Sequence, residues 1–147
     1  PSLEEALIEA ELAEQMGADY WLSFSCQNGT LTNEGDSLTD CAKILSQNPP
    51  HLRMLGVSCT PPHFMPEAIA ALQKGTSLPI CVYPNSGEIY DAKTKTWHGE
   101  REKQQSFGDF AKAWYLAGAS AVGGCCRTAS SHIKQVDDVR NKLLGRD

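Results

Sequence analysis

An α/β fold built on a parallel sheet is predicted by three observations. Helix-like and strand-like segments alternate along all 147 residues, and alternation of this kind implies parallel strands joined by right-handed crossovers. Small and polar residues (Ser23, Ser25, Ser58, Gly123, Gly124) gather at the strand ends, where sites form in parallel α/β folds. The chain is too short for a complete eight-stranded α/β barrel, which takes about 250 residues. Four strands suit a small open sheet and equally half of an eight-stranded barrel; composition does not choose between them.

The elements follow in order. A helix over 2–16 opens on Ser2 and Glu5, a capping-box spacing, and carries Leu3, Ala6, Leu7, Ala10 and Ala13 at helical intervals before Gly17. Tyr20 to Ser25 is short and aromatic-rich, a strand, and residues 27–36 with Asn28-Gly29 are a loop. Ser37, with Asp40 three residues on, starts a second helix whose apolar face is Leu38, Cys41, Ala42, Ile44 and Leu45; Pro49-Pro50 ends it. Arg53 to Val57 is a strand, residues 66–74 a helix ending at Gly75, and Leu78 to Tyr83 a third strand. The segment from Pro84 to about Gln105 is polar and without period, hence a long loop. Phe107 to Ala117 is a helix with Phe107, Phe110, Ala111, Trp114 and Leu116 apolar. Ala119 to Gly124 is a fourth strand, and residues 131–144 form a last helix with Ile133, Val136, Val139, Leu143 and Leu144 inward.

A net charge of −5 without a basic block argues against a nucleic-acid binder, which must neutralise phosphates with clustered Lys and Arg. No run approaches the roughly 20 apolar residues of a membrane helix. The acidic, helical start reads as neither a signal nor a transit peptide, and without an initiating Met the chain reads as beginning inside something longer. Six cysteines could pair in a secreted protein. A chain able to bury a core and showing no leader points instead to the reducing cytoplasm, where cysteines are packing residues, metal ligands or nucleophiles.

Cys26, Cys59, Cys125 and Cys126 fall at strand ends, whereas Cys41 lies on a helix face and Cys81 inside a strand, both expected to be packing residues. Neighbouring residues on a strand point to opposite sides, so aiming Cys125 and Cys126 at one point requires a turn, which Gly123-Gly124 permits. With Cys59 they make three thiolates, and zinc so held keeps one of its four positions open. The Cys-Cys pair can equally be unliganded or form a vicinal disulfide, and the long gap from Cys59 to Cys125 matches no zinc-finger spacing.

Gly56-Val-Ser-Cys59, Val82-Tyr-Pro-Asn-Ser-Gly-Glu88 and Gly123-Gly-Cys-Cys-Arg-Thr128 resemble the signature segments of the homocysteine S-methyltransferase family. Trp21-Leu-Ser-Phe-Ser25, Tyr90-Asp91 and Lys95-Thr-Trp97 match in order and approximate spacing. The resemblance covers essentially the whole chain and is nearest to the branch that uses S-methylmethionine or S-adenosylmethionine. It implies the C-terminal half of a TIM-type (β/α)8 barrel with parallel strands, residues 1–147 being one partial homocysteine-binding domain that holds strands five to eight. It implies Zn2+ as cofactor, with Cys59 at the sixth strand end and Cys125 and Cys126 at the eighth as ligands; Cys26 is not counted. The family's Asp-Gly-Gly first strand and Glu-Thr fourth strand are absent from this chain.

The implied reaction is methyl transfer from a sulfonium donor to the thiol of homocysteine, giving methionine. A free thiol has a pKa near about 8.5, and coordination removes its proton. Three thiolates leave the zinc site at −1, so bound sulfur keeps its nucleophilicity.

Tyr83, Tyr90 and Trp97 are candidates for facing the sulfonium by cation–π attraction, or for packing the long loop. Glu88 is a candidate for a substrate amine, Arg127 for a carboxylate of substrate or protein, and Asn85 lies in the same turn as Glu88. His63, His98 and His132 read as surface residues. Two other readings stand beside the methyltransferase: a non-catalytic zinc-binding fragment, and a small α/β domain with a redox-active Cys125–Cys126 pair. Half a barrel also has two unpaired strand edges, which invite self-association.

Overall fold

The computed structural model describes residues 2–47, 49–99 and 106–146. Helix α1 (Leu3–Met16) starts where the Ser2 hydroxyl accepts the Glu5 N–H at 3.1 Å and ends at Gly17 with φ 65°. Strand β1 (Tyr20–Phe24) leads through a loop to α2 (Leu38–Leu45), where Ser37 accepts from the Asp40 N–H. Then come β2 (Leu52–Ser58), a single 3-10 turn (Pro62–Phe64), α3 (Met65–Gln73) and β3 (Ile80–Tyr83). A hairpin of β4 (Ile89–Asp91) and β5 (Thr96–His98) precedes α4 (Phe107–Ala117), β6 (Ala121–Val122) and α5 (Ser130–Leu143).

The main sheet runs β1-β2-β3-β6 with every neighbouring pair parallel, as the alternation requires. One face carries Leu22, Phe24, Leu55, Val57, Ile80 and Val82 into a core shared with Leu38, Met65, Ile69, Leu72 and Trp114. The opposite face is concave and open: Trp21, Met54, Cys81 and Tyr83 line a hollow of about 410 Å³ with the residues of β6, Gly123 and Gly124. Gly56 is obligatory on this face, because a Cβ there would collide with the carbonyl oxygen and Sγ of Cys81. No helix among the described residues is long and apolar enough to cross a membrane.

Three expectations need correction. First, the segment after Pro84 is not loop throughout. It holds the antiparallel β4–β5 hairpin, with Tyr90 opposite Trp97 and Lys95 at φ 55° closing the turn. His98 is thus a strand residue, and the part of that segment at 100–105 lies outside the described residues. Second, β6 spans two residues rather than six, although Ser120 and Gly123 extend its ladder by bonding to Ile80 and Val82. Third, several residues expected inward are exposed. In α1 Ala6 is buried but Leu7 is not; in α5 Val136 is buried whereas Ile133, Leu143 and Leu144 are not; Leu116 is 70% exposed. Apolar periodicity marks the face a helix would bury, but burial also needs an element to pack against it.

Candidate metal centre

The three cysteines reach one place because β2 and β6 flank β3 in parallel, and the turns that follow both strands lie at the C-terminal end of the sheet. Cys59 follows β2 in the left-handed region (φ 46°), a conformation that non-glycine residues rarely adopt and that is concentrated at functional sites. Cys125 and Cys126 sit in a turn closed by Thr128, whose N–H and hydroxyl both donate to the Cys125 carbonyl, at 3.2 and 2.6 Å. The sequence pointed to Gly123-Gly124 as the place where the chain bends. In fact the left-handed residue is Arg127 (φ 65°), just after the pair. Gly124 is needed for space, since a Cβ there would strike the Thr128 side chain.

The sulfur atoms of Cys59, Cys125 and Cys126 all lie within 4.8 Å of one another. Cys126 Sγ is 3.5 Å from Cys59 Sγ and 3.8 Å from Cys125 Sγ. Cys59 and Cys125 are joined as a disulfide with Cα atoms 5.5 Å apart, and Cys126 is free and exposed. The bonded pair is therefore not the adjacent one, Cys125–Cys126, of the redox reading. Bonds of about 2.3 Å in a tetrahedron place sulfurs about 3.8 Å apart, so the two separations to Cys126 already match a zinc site. Two-electron reduction of the Cys59–Cys125 bond yields the three thiols such a site needs.

The segment 84–88, between β3 and β4, braces both cysteine loops. Pro84 O accepts from Cys125 N–H at 2.8 Å, and Ser86 N–H donates to Cys126 O at 3.2 Å. On the other side Asn85 N–H donates to Thr60 O and its side-chain amide to Cys59 O, both at 3.2 Å. Glu88 is buried. It accepts from Ser86 Oγ at 2.7 Å and from Arg127 through Nε and Nη2, at 3.0 and 3.1 Å. Of the alternatives open for Arg127, the carboxylate it meets here belongs to the protein, and Glu88 is committed to that pair. Ser86 was not singled out in the sequence. The signal was its place in a Pro-Asn-Ser-Gly turn immediately beyond a strand.

The remaining candidates fall elsewhere. Tyr90 and Trp97 pack on each other at a tilt of 49° across the hairpin, with ring centroids 5.1 Å apart, while Tyr83 lines the open hollow and its hydroxyl meets Ser23 Oγ. His132 caps α5, its Nδ1 accepting from Ala129 N–H at 2.9 Å, and its ring packs on Phe107; His63 is exposed.

Cys26, Cys41 and Cys81 are buried, and burial raises their thiol pKa values from an ordinary 9.0 to about 12, 11 and 11. Each ionises more readily in the unfolded chain. They therefore favour the folded state fully below pH 9, and that contribution is lost as pH rises through about 11 to 12. The thermal midpoint is expected to fall between pH 9 and 11. At pH 8 iodoacetamide is expected to label Cys126, and after reduction Cys59 and Cys125, well before the buried three, as read by mass spectrometry of timed samples.

The sequence profile described as Homocysteine S-methyltransferase matches residues 1–140. The chain is 41% identical over 137 residues to homocysteine S-methyltransferase YbgG of Bacillus subtilis, covering 92% of this chain and 43% of that protein. It is also 41% identical over 143 residues to homocysteine S-methyltransferase 1 of Zea mays, covering 97% and 43%. Among solved structures, the metallated form of homocysteine methyltransferase MmuM from Escherichia coli superposes with a TM-score of 0.75 at 27% identity, covering 94% of this chain and 42% of that one. The chain thus spans less than half the length of the relatives it matches, and its four parallel strands are half of a TIM-type barrel. With a profile match over nearly its full length and relatives above 40% identity, the chain belongs to the homocysteine S-methyltransferase family.

Proposed function

We propose that this chain is the C-terminal half, strands five to eight, of a zinc-dependent homocysteine S-methyltransferase domain, and that Cys59, Cys125 and Cys126 are its zinc ligands. The observation that carries the reading is the approach of these three sulfurs to within 4.8 Å of one another at the C-terminal ends of the strands. When bound, zinc supplies a Lewis acid that keeps the homocysteine thiol deprotonated and in place at neutral pH. The protein's part is positional. The strand ends would present three thiolates to the ion and leave one of its four positions for the incoming thiol. The negative charge of the thiolates favours approach of a cationic sulfonium, S-methylmethionine or S-adenosylmethionine, and holding both reactants in one cavity removes much of the entropic cost of their encounter. Free thiolates at this site suit the reducing cytoplasm.

Half of the cavity wall lies beyond this chain in the relatives, so methyl transfer by the 147-residue chain alone is expected to be undetectable. Zinc binding is not expected to need the other half. The reduced chain is expected to bind one equivalent of zinc, measured by atomic absorption after desalting, and the same chain alkylated beforehand is expected to bind none. Stoichiometry below about 0.2 in the reduced, folded chain would falsify the reading.

A further inference from the structure

Three sulfurs on two separate loops form a metal site only if something sets the distance between the loops. Strand pairing alone does so only in part: β2 and β6 are not neighbours, and at the level of the cysteines β3 and its extension hold each loop by its backbone, Tyr83 O accepting from Cys59 N–H at 3.1 Å and Pro84 O from Cys125 N–H at 2.8 Å. We propose that Glu88 and Arg127 are positioning residues that hold the Cys125–Cys126 turn at ligating distance from Cys59, an inference that rests on the zinc reading above.

Two chains of contact support it. Asn85 ties this segment to the Cys59 carbonyl, and Asn85 Oδ1 accepts the Gly87 N–H at 2.8 Å, so the turn leading to Glu88 is fixed to the Cys59 loop. Glu88 then grips Arg127, the residue immediately after Cys126, through two nitrogens at 3.0 and 3.1 Å. The path runs from Cys59 through Asn85, Glu88 and Arg127 to Cys126 without passing through a strand. Arg127 adopts the left-handed conformation, which non-glycine residues disfavour; its ion pair with a buried carboxylate compensates for that backbone. A guanidinium reaches both carboxylate oxygens side-on, whereas an ammonium supplies charge without the fork.

The test is zinc affinity of the reduced chain, by competition with a chromophoric chelator, for Glu88→Gln, Arg127→Lys and Arg127→Met. Asp19→Asn is the control: it removes the Asp19–Arg53 contact of 2.7 Å at the N-terminal end of the same strands. Circular dichroism selects the variants that fold, and Glu88→Gln, near-isosteric, keeps the test open if either Arg127 variant does not. Affinity is expected to fall about 10- to 100-fold in all three site variants and to stay unchanged in Asp19→Asn, as for residues that orient metal ligands from behind. Unchanged affinity in Glu88→Gln and Arg127→Lys would overturn the positioning role, because neither the carboxylate charge nor the two-pronged contact of the guanidinium would then be needed. A wild-type chain that takes up no zinc would overturn the ligand reading first, before any variant is compared.

Discussion

Replacing Cys126 with Ser is expected to lower the zinc affinity of the reduced chain by about a hundredfold or more. Apparent zinc-binding energies at thiolate-rich sites run to about 10 kcal/mol or above, and one of three protein ligands carries about 3 kcal/mol of that, some two decades in affinity. Cys126 is the informative choice because it is free and exposed, so its removal leaves the core undisturbed. The companion variant is Cys26→Ser. Cys26 also stands just past a strand end, but its Sγ turns inward to the Phe24 carbonyl at 3.8 Å and its surroundings are buried. Zinc affinity is expected to be unchanged there. Equal losses in the two variants would mean that thiol count, rather than placement, governs binding.

The largest effect on stability is expected from Trp114→Ala, a loss of about 3–5 kcal/mol in urea-unfolding free energy. Trp114 is fully buried in α4, stacked on Phe110 with centroids 5.8 Å apart and edge-on to Phe107 at 5.3 Å. Its Nε1 donates to the Pro62 carbonyl at 3.3 Å, so truncation creates a cavity and also strips a buried acceptor. Small domains hold about 5–15 kcal/mol in total, so such a variant sits near its unfolding midpoint at moderate temperature. Leu116→Ala, two residues on in the same helix, is expected to change stability by less than about 0.5 kcal/mol because the side chain is 70% exposed.

What the sequence conveyed, and what it withheld, follows from the range of each interaction. The helices and parallel strands were legible because their signals are local: a serine cap three residues before its partner, a glycine at a helix end, an apolar stripe. The β4–β5 hairpin was not. Its strands are three residues long and its turn, Ala92-Lys-Thr-Lys95, lacks an Asn-Gly or Asp-Gly pair; Ile89-Tyr90 and Thr96-Trp97, good strand formers, were the available hint. Helix faces were over-read at Leu7, Ile133 and Leu143, where the pattern is correct but no neighbour covers it.

At the candidate site, the meeting of Cys59 with Cys125 and Cys126 was legible because strand ends in a parallel sheet converge by rule. The pairing of Glu88 with Arg127 was not, because it joins residues far apart in sequence and each had several plausible partners.

The sulfur donors and their bracing segment all lie between Cys59 and Thr128, on β2, β3 and β6 and the turns beyond them. Everything proposed to grip the ion thus travels on one piece of polypeptide when the chain is cut ahead of β1. A split-enzyme sensor divided there would keep its metal on a single component and make turnover alone conditional on reassembly, so metal loading and catalytic output would report two separate events.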